Sequence, residues 1–171
     1  GRKSAAGPRL AGAGTRGRLD IDAGSGGVEV RDASGARLNI DNGSGSISLT
    51  DVQSESCLID TGSGGVTGGG VQCGTLSVDV GSGSVRLDRI RSTDVTVDAG
   101  SGGVSLSFTA APKGLTVDAG SGRVTVALPD GVDASVDIET GSGGITSDFP
   151  VRTTRVQRNS LRGTIGDGAG R

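Results

Sequence analysis

Seven acids recur along the chain at almost constant spacing: Asp22, Asp41, Asp60, Asp79, Asp98, Asp118 and Glu139. Each stands two residues before a Gly-Ser-Gly tripeptide. Carboxylates repeated in this way admit two chemistries. Ca²⁺ takes about six to eight oxygens, with carboxylates as its usual anchors, so Asp41, Asp60, Asp79, Asp98 and Asp118 are the candidate metal ligands. Paired carboxylates can also hydrolyse glycosides without a histidine. Neither pattern is a close match. The Ca²⁺-binding β-helix repeat places Asp after Gly-Gly-x-Gly at a period of roughly nine. A glycosidase needs a cleft and one distinct pair, whereas each pair here is one step of a uniform column. The simpler expectation is a solvated acidic face.

Other chemistry-bearing residues are sparse. The chain has no His, Trp, Tyr or Met, and Phe108 and Phe149 are its only aromatics. Without His there is no Ser-His-Asp triad and no His-ligated metal. Two Phe cannot make the stacking platform that single-stranded nucleic acid needs. The repeated Ser25, Ser44, Ser63, Ser82, Ser101, Ser121 and Ser142 have no base beside them and read as corner hydroxyls bonding backbone. Gly68-Gly69-Gly70 lacks the Gly-Lys-Ser/Thr ending of a phosphate loop. Cys57 occupies an apolar column and reads as a small hydrophobe. A disulfide to Cys73 is geometrically conceivable, but an inward and a corner side chain would have to meet.

The elements that must position these residues follow from the repeat. Gly-Ser-Gly begins at Gly24, Gly43, Gly62, Gly81, Gly100, Gly120 and Gly141, at spacings of 19, 19, 19, 19, 20 and 21. Apolar residues stand five and three positions before each turn, as in Leu76 and Val78, and four and usually six after its first Gly, as in Val85 and Leu87. Strict alternation of β-branched residues means strands with one buried face. A third apolar position (Ala33, Val52, Val71, Ile90, Leu128) implies a third side and a closed coil. The expected fold is therefore all-β: a single parallel β-solenoid of about seven to nine 19-residue coils, essentially without helix. Coils about 4.8 Å apart would make a rod roughly 30–35 Å long. The acids then fall on the outer face. Neighbours at that spacing repel by ~0.9 kcal/mol in bulk water and ~3.5 kcal/mol at an effective dielectric of 20. The adjacent outward column (Asp20, Asn39, Leu58, Ser77, Thr96, Thr116, Asp137) contains no base. Shared protons, Ca²⁺ or basic groups from elsewhere would offset the repulsion.

Charge divides the chain. Residues 1–18 carry +5, residues 19–151 carry −11 and residues 152–171 carry +4, for a net −2. The expected organisation is a flexible basic arm (1–18), the solenoid coils (19–151), and a basic insertion with a terminal coil or cap (152–171). The acidic body repels DNA. No apolar run approaches the roughly 18 residues of a membrane span, and no signal sequence is visible. The absence of Met reads as a processed chain or a fragment.

The run Val97-Asp98-Ala99-Gly100-Ser101-Gly102-Gly103-Val104, repeated along the chain, resembles the β-strand-repeat adhesin family of bacteria, a domain-of-unknown-function group. The closing Arg158-Asn159-Ser160-Leu161-Arg162-Gly163-Thr164-Ile165 resembles that family's last segment. The family often has Asp after Gly-Ser-Gly, where this chain has Gly27, Ser46, Gly65, Ser84, Gly103, Arg123 and Gly144. The resemblance implies a β-solenoid at the cell envelope or outside the cell, with no established activity. The functional expectation is a non-catalytic structural or adhesive module that self-associates or holds a surface ligand. No cofactor is expected unless Ca²⁺ occupies the acidic column, and no small-molecule substrate is inferred. One route to assembly is for residues 1–18 to leave their own coil and lie along Asp41–Asp118 of a neighbour.

Overall fold

The computed structural model describes residues 9–11, 17–110, 112–129, 134–148, 152–157 and 159–165. Among them there are strands, turns and bends but no helix. The strands are β1 (Arg9–Ala11), β2 (Arg18–Ser25), β3 (Val28–Arg31), β4 (Ser34–Ser44), β5 (Ile47–Ser63), β6 (Val66–Ser82) and β7 (Val85–Ser101). They continue as β8 (Val104–Phe108), β9 (Gly114–Ala119), β10 (Val124–Ala127), β11 (Ala134–Thr140), β12 (Ile145–Ser147), β13 (Arg152–Gln157) and β14 (Ser160–Ile165).

Each 19-residue repeat is one coil, and like residues pair in parallel with like. Ile40 pairs with Ile59, Ile59 with Val78, Val78 with Val97, Val97 with Val117, and Val117 with Ile138. After the turns, Val28, Ile47, Val66, Val85, Val104, Val124 and Ile145 form a second ladder. The fold is therefore the expected parallel β-solenoid, with about seven coils among the described residues, within the expected seven to nine. Alternation explains burial: in the coil from Ile47, the inward residues are Ile47, Leu49, Val52, Ser54, Cys57, Ile59 and Thr61. The alternation slips between Leu49 and Val52 and again between Ser54 and Cys57, and those slips are corners.

The first of these corners has a backbone signature. Asp32, Asp51, Gly70 and Arg89 occupy equivalent positions and all have φ between 49° and 72°. Three of them accept the left-handed region without being glycine, which L side chains adopt only at a cost. The glycines of the Gly-Ser-Gly corner are needed chiefly for space. A Cβ on Gly43 or Gly81 would lie 2.5 Å from the carbonyl oxygen of the equivalent Gly in the preceding coil. At the third position the approach is closer still, and Gly45 and Gly64 also have φ of 119° and 137°.

The exceptions to the pattern are filled by neighbours. Gly68 stands where a buried Leu is expected, and Leu49 and Leu87 from the adjoining coils close over it, at 3.2 and 3.0 Å from where its Cβ would be. Phe108, paired with Ile90, takes the third-side position of the fifth coil. The extra residues of the later coils lie between β8 and β9 and between β10 and β11, on that same side; Asp130 and Gly131 fall outside the described residues.

Both ends depart from the repeat, and at the C-terminal one the structure has the cap of the two alternatives, coil or cap. Within the stretch read as a free arm, Arg9–Ala11 form a strand paired in parallel with Glu29–Arg31 of β3. Residues 1–8 and 12–16 lie outside the described residues. At the other end the terminal strand does not add an eighth coil. Strand β14 runs antiparallel to β11, Ala134 facing Ile165 and Glu139 facing Ser160, and β13 folds back antiparallel on β14. A reversed hairpin thus covers the backbone edge that the last strand of the first side would otherwise expose.

Candidate functional site

The acidic column is assembled as its spacing requires. Asp22 pairs with Asp41, Asp41 with Asp60, Asp60 with Asp79, Asp79 with Asp98, Asp98 with Asp118, and Asp118 with Glu139. All seven are exposed, because the residues on either side of each are the buried ones. Partial burial first, and then the Asp79 carboxylate together with Asp41 or Asp118, push Asp60 and Asp98 above the usual carboxylate range. No ion pair reaches Asp41, Asp60, Asp79, Asp98 or Asp118 among the described residues.

The base missing from the sequence-level picture arrives at one end. Arg162, on the reversed strand β14, donates to the Asp137 carboxylate at 2.6 and 3.0 Å and lies 4.0 Å from Glu139. Those carboxylates raise the Arg162 guanidinium pKa, with the Asp137 hydrogen bond the main cause. At the opposite end Arg18 hydrogen-bonds Asp20 at 2.8 Å and holds its carboxyl below the usual range. Both end acids of the flanking column, Asp20 and Asp137, are thus paired, while in the acidic column only Glu139 has a guanidinium near it among the described residues. The flanking column carries one anomaly, Leu58, an apolar side chain 47% exposed beside Asp60.

For metal binding the geometry gives pairs along a line rather than a cage. Among the described residues no group of three or more His, Cys, Asp or Glu side chains is placed to hold a metal ion. The Ser column is also in register, Ser25, Ser44, Ser63, Ser82 and Ser101 pairing in turn.

Cys57 and Cys73 are joined in a disulfide, with Cα atoms 6.0 Å apart, and are not two separate small side chains. Cys73 is not an outward corner residue. Ser54, Cys73 and Ser92 pair in register and are all buried, 9%, 3% and 7% exposed, because alternation continues inward from Val52, Val71 and Ile90. The recurrence of small residues at 19-residue spacing was the signal for this inward column. A second inward column went unread. Ala23, Asn42, Thr61, Val80, Ala99, Ala119 and Thr140 stand just before each turn and are buried. Asn42 donates to the carbonyls of Gly26 and Gly45, and Thr140 to that of Gly143, so these polar members brace the corner from inside.

The outer surface of the third side holds grooves. One is bounded by Asp51, Gly70, Gln72, Arg89 and Arg91, and the adjoining one by Gln53, Gln72, Arg91, Thr93 and Lys113. Gln53 pairs with Gln72 and Gln72 with Arg91, so these exposed donors form a ladder of their own.

No curated protein and no solved structure matches the chain. A family model does: the Toastrack DUF4097 model covers residues 13–171, which includes every coil and the reversed terminal strands. With that match over most of its length, the chain belongs to the Toastrack DUF4097 family.

Proposed function

We propose that this protein is a non-catalytic structural and adhesive module of the bacterial cell surface, working through repeated surface contacts and self-association. The observation that carries the reading is the central acidic column. Five carboxylates from Asp41 to Asp118 stand in register on a rigid stack with no basic partner among the described residues. A surface that repels itself and meets a basic group only at its Glu139 end among the described residues suits a partner bearing repeated positive or donor groups. The coils stack as near-copies, which suits a contact surface better than one distinct catalytic centre. The Cys57–Cys73 disulfide supports placement outside the cytosol, since such bonds persist in oxidising compartments.

The test of self-association is mass by light scattering over a concentration series, at low and high salt. The expected result is a mass that rises with concentration at low salt and returns to that of the monomer at high salt. A monomer under every condition overturns it. A second reading draws on the same column: Ca²⁺ bridging carboxylates of adjacent coils, with Asp60, Asp79 and Asp98 at its centre. Titration calorimetry separates the two, because only the second gives a saturable heat with Ca²⁺ at constant ionic strength.

A further inference from the structure

The reading of the chain as self-associating leaves open which surface of one copy meets which surface of another. Sequence reasoning offered the basic N-terminal stretch as the partner of the acidic column. Arg9–Ala11 are paired with β3 of their own chain, so part of that stretch is already engaged. The other positive surface of the described structure is the outside of the third side. It carries Arg89, Arg91 and Lys113, all exposed, on a body that is otherwise strongly acidic.

We propose that this third side is the docking surface for the acidic column of a second copy, the ladder Gln53–Gln72–Arg91 receiving the ladder Asp60–Asp79–Asp98. Three observations carry the proposal. The first is chemical complementarity. Gln amides and an Arg guanidinium are donors, and carboxylates with no basic partner among the described residues are acceptors, so the contacts are charge-assisted hydrogen bonds. The second is spacing. Both ladders are generated by the same stack, one residue per coil in paired register, so both repeat at about 4.8 Å and match rung for rung when two rods lie side by side.

The third is the shape of the groove. The third coil has Gly69 and Gly70 where other coils carry side chains. Arg89 lies over Gly69, its Nη2 2.9 Å from where a Cβ would sit, and the Asp51 carboxylate closes over Gly70 from the other side. The corner beside Gln72 is thereby cut back, with Arg89 on its upper wall and Lys113 beyond Arg91. Asp51 is the one carboxylate bordering this groove, and two guanidiniums outnumber it. A nucleic acid or an uncharged glycan is a poorer occupant. The acidic body repels the first, and the groove has no aromatic ring to stack against either.

The contact is heterologous, because the donor face of one copy meets the acceptor face of the next and both copies keep one face free. Such contacts build rings or open chains. That gives a sharp test in the full-length protein, with folding checked by circular dichroism. Arg91→Glu spoils the donor face and leaves the acidic column intact. Asp79→Lys does the reverse. Each variant alone is expected to lose association by about tenfold or more, since like charges are then juxtaposed. An equimolar mixture of the two is expected to recover association, because the intact faces pair and the two altered faces carry opposite charges. Gln72→Glu supplies an independent donor-face variant should Arg91→Glu fail to fold. If the wild type associates and these variants associate equally well, or the mixture stays monomeric, this assignment of faces is overturned while self-association stands. If the wild type is monomeric at every salt concentration, both fall together.

Discussion

Replacing Gly81 by Ala tests whether the Gly-Ser-Gly corner is glycine for space or for backbone angle. Gly81 is not among the glycines with positive φ, so the new methyl group imposes no conformational penalty. Its Cβ would instead stand 2.5 Å from the carbonyl oxygen of Gly62 in the preceding coil. Ordinary contact begins near 3.4 Å, so the two coils must part locally by up to roughly an ångström. The neighbouring corner bonds between those two coils, Gly64 N–H to Ser82 O at 3.1 Å and Val66 N–H to Ser84 O at 3.0 Å, have little length to spare. Loss of two or three such bonds at about 0.5–1.5 kcal/mol each gives a destabilisation of roughly 1–4 kcal/mol. For a chain of this size that lowers Tm by about 2–16 °C. Gly24→Ala is the control, because the same corner in the first coil has nothing within 4 Å of the added methyl. Thermal melts followed by circular dichroism at one pH suffice. Equal Tm values for Gly81→Ala and Gly24→Ala would refute the close-approach argument.

Val78 is 1% exposed in the centre of the first side, so Val78→Asp is expected to abolish the cooperative melt; a folded variant would mean the faces are assigned backwards. Because Asp60 and Asp98 have folded-state pKa values above the unfolded range, the folded chain holds more protons there and stability falls as pH rises through that range. The wild type at low ionic strength should therefore gain stability relative to an Asp60→Asn/Asp98→Asn double variant as pH is lowered from 7 toward about 4, and a difference independent of pH would contradict the shifts. At pH 7 Asp79→Asn should stabilise by about 0.5–2 kcal/mol at low salt and by much less at high salt, removing two repulsive neighbours; denaturant titration measures it. Arg89→Gly should raise stability by about 0.5–1 kcal/mol by relieving a φ of 52°, and a loss of stability in denaturant titration would contradict the strain argument.

The coil was legible because one period writes itself seven times. Ile59, Val78 and Val97 could be placed inward, and Asp60, Asp79 and Asp98 outward, from alternation alone. What escaped lay where alternation slips. The inward column of Ser54, Cys73 and Ser92 is followed by a corner, so counting back in twos from Leu76 places Cys73 on the wrong side and hides the disulfide. The left-handed corner was hidden because Asp32, Asp51 and Arg89 lack the glycine that usually marks it, leaving Gly70 as its sole clue. Arg162 escaped for a different reason. A strand that closes a stack reads like one that extends it, and direction of pairing leaves no trace in a six-residue segment. The Arg162 contact with Asp137 exists only because β14 runs backwards.

The acidic column costs more than its exposure implies. A natural domain is stable by roughly 0.05–0.15 kcal/mol per residue, so a 19-residue coil contributes about 1–3 kcal/mol net. The repulsion between carboxylates of adjacent coils is ~0.9 kcal/mol even in bulk water, a substantial fraction of that net value. Buried ladders such as Ile40–Ile59–Val78–Val97 sustain the stack against it, each large side chain worth about 1.5–3 kcal/mol before chain entropy is subtracted. A partner that neutralises the column therefore recovers free energy at every coil it spans, and that gain is available as binding energy without reshaping either surface. The recovered amount scales with the number of coils covered, so a ligand bearing one positive charge gains little and a ladder of donors gains at each rung. The same argument fixes the salt dependence: screening removes the repulsion in the free chain and the attraction in the complex together. Binding at the column must then weaken as ionic strength rises, whichever partner supplies the donors.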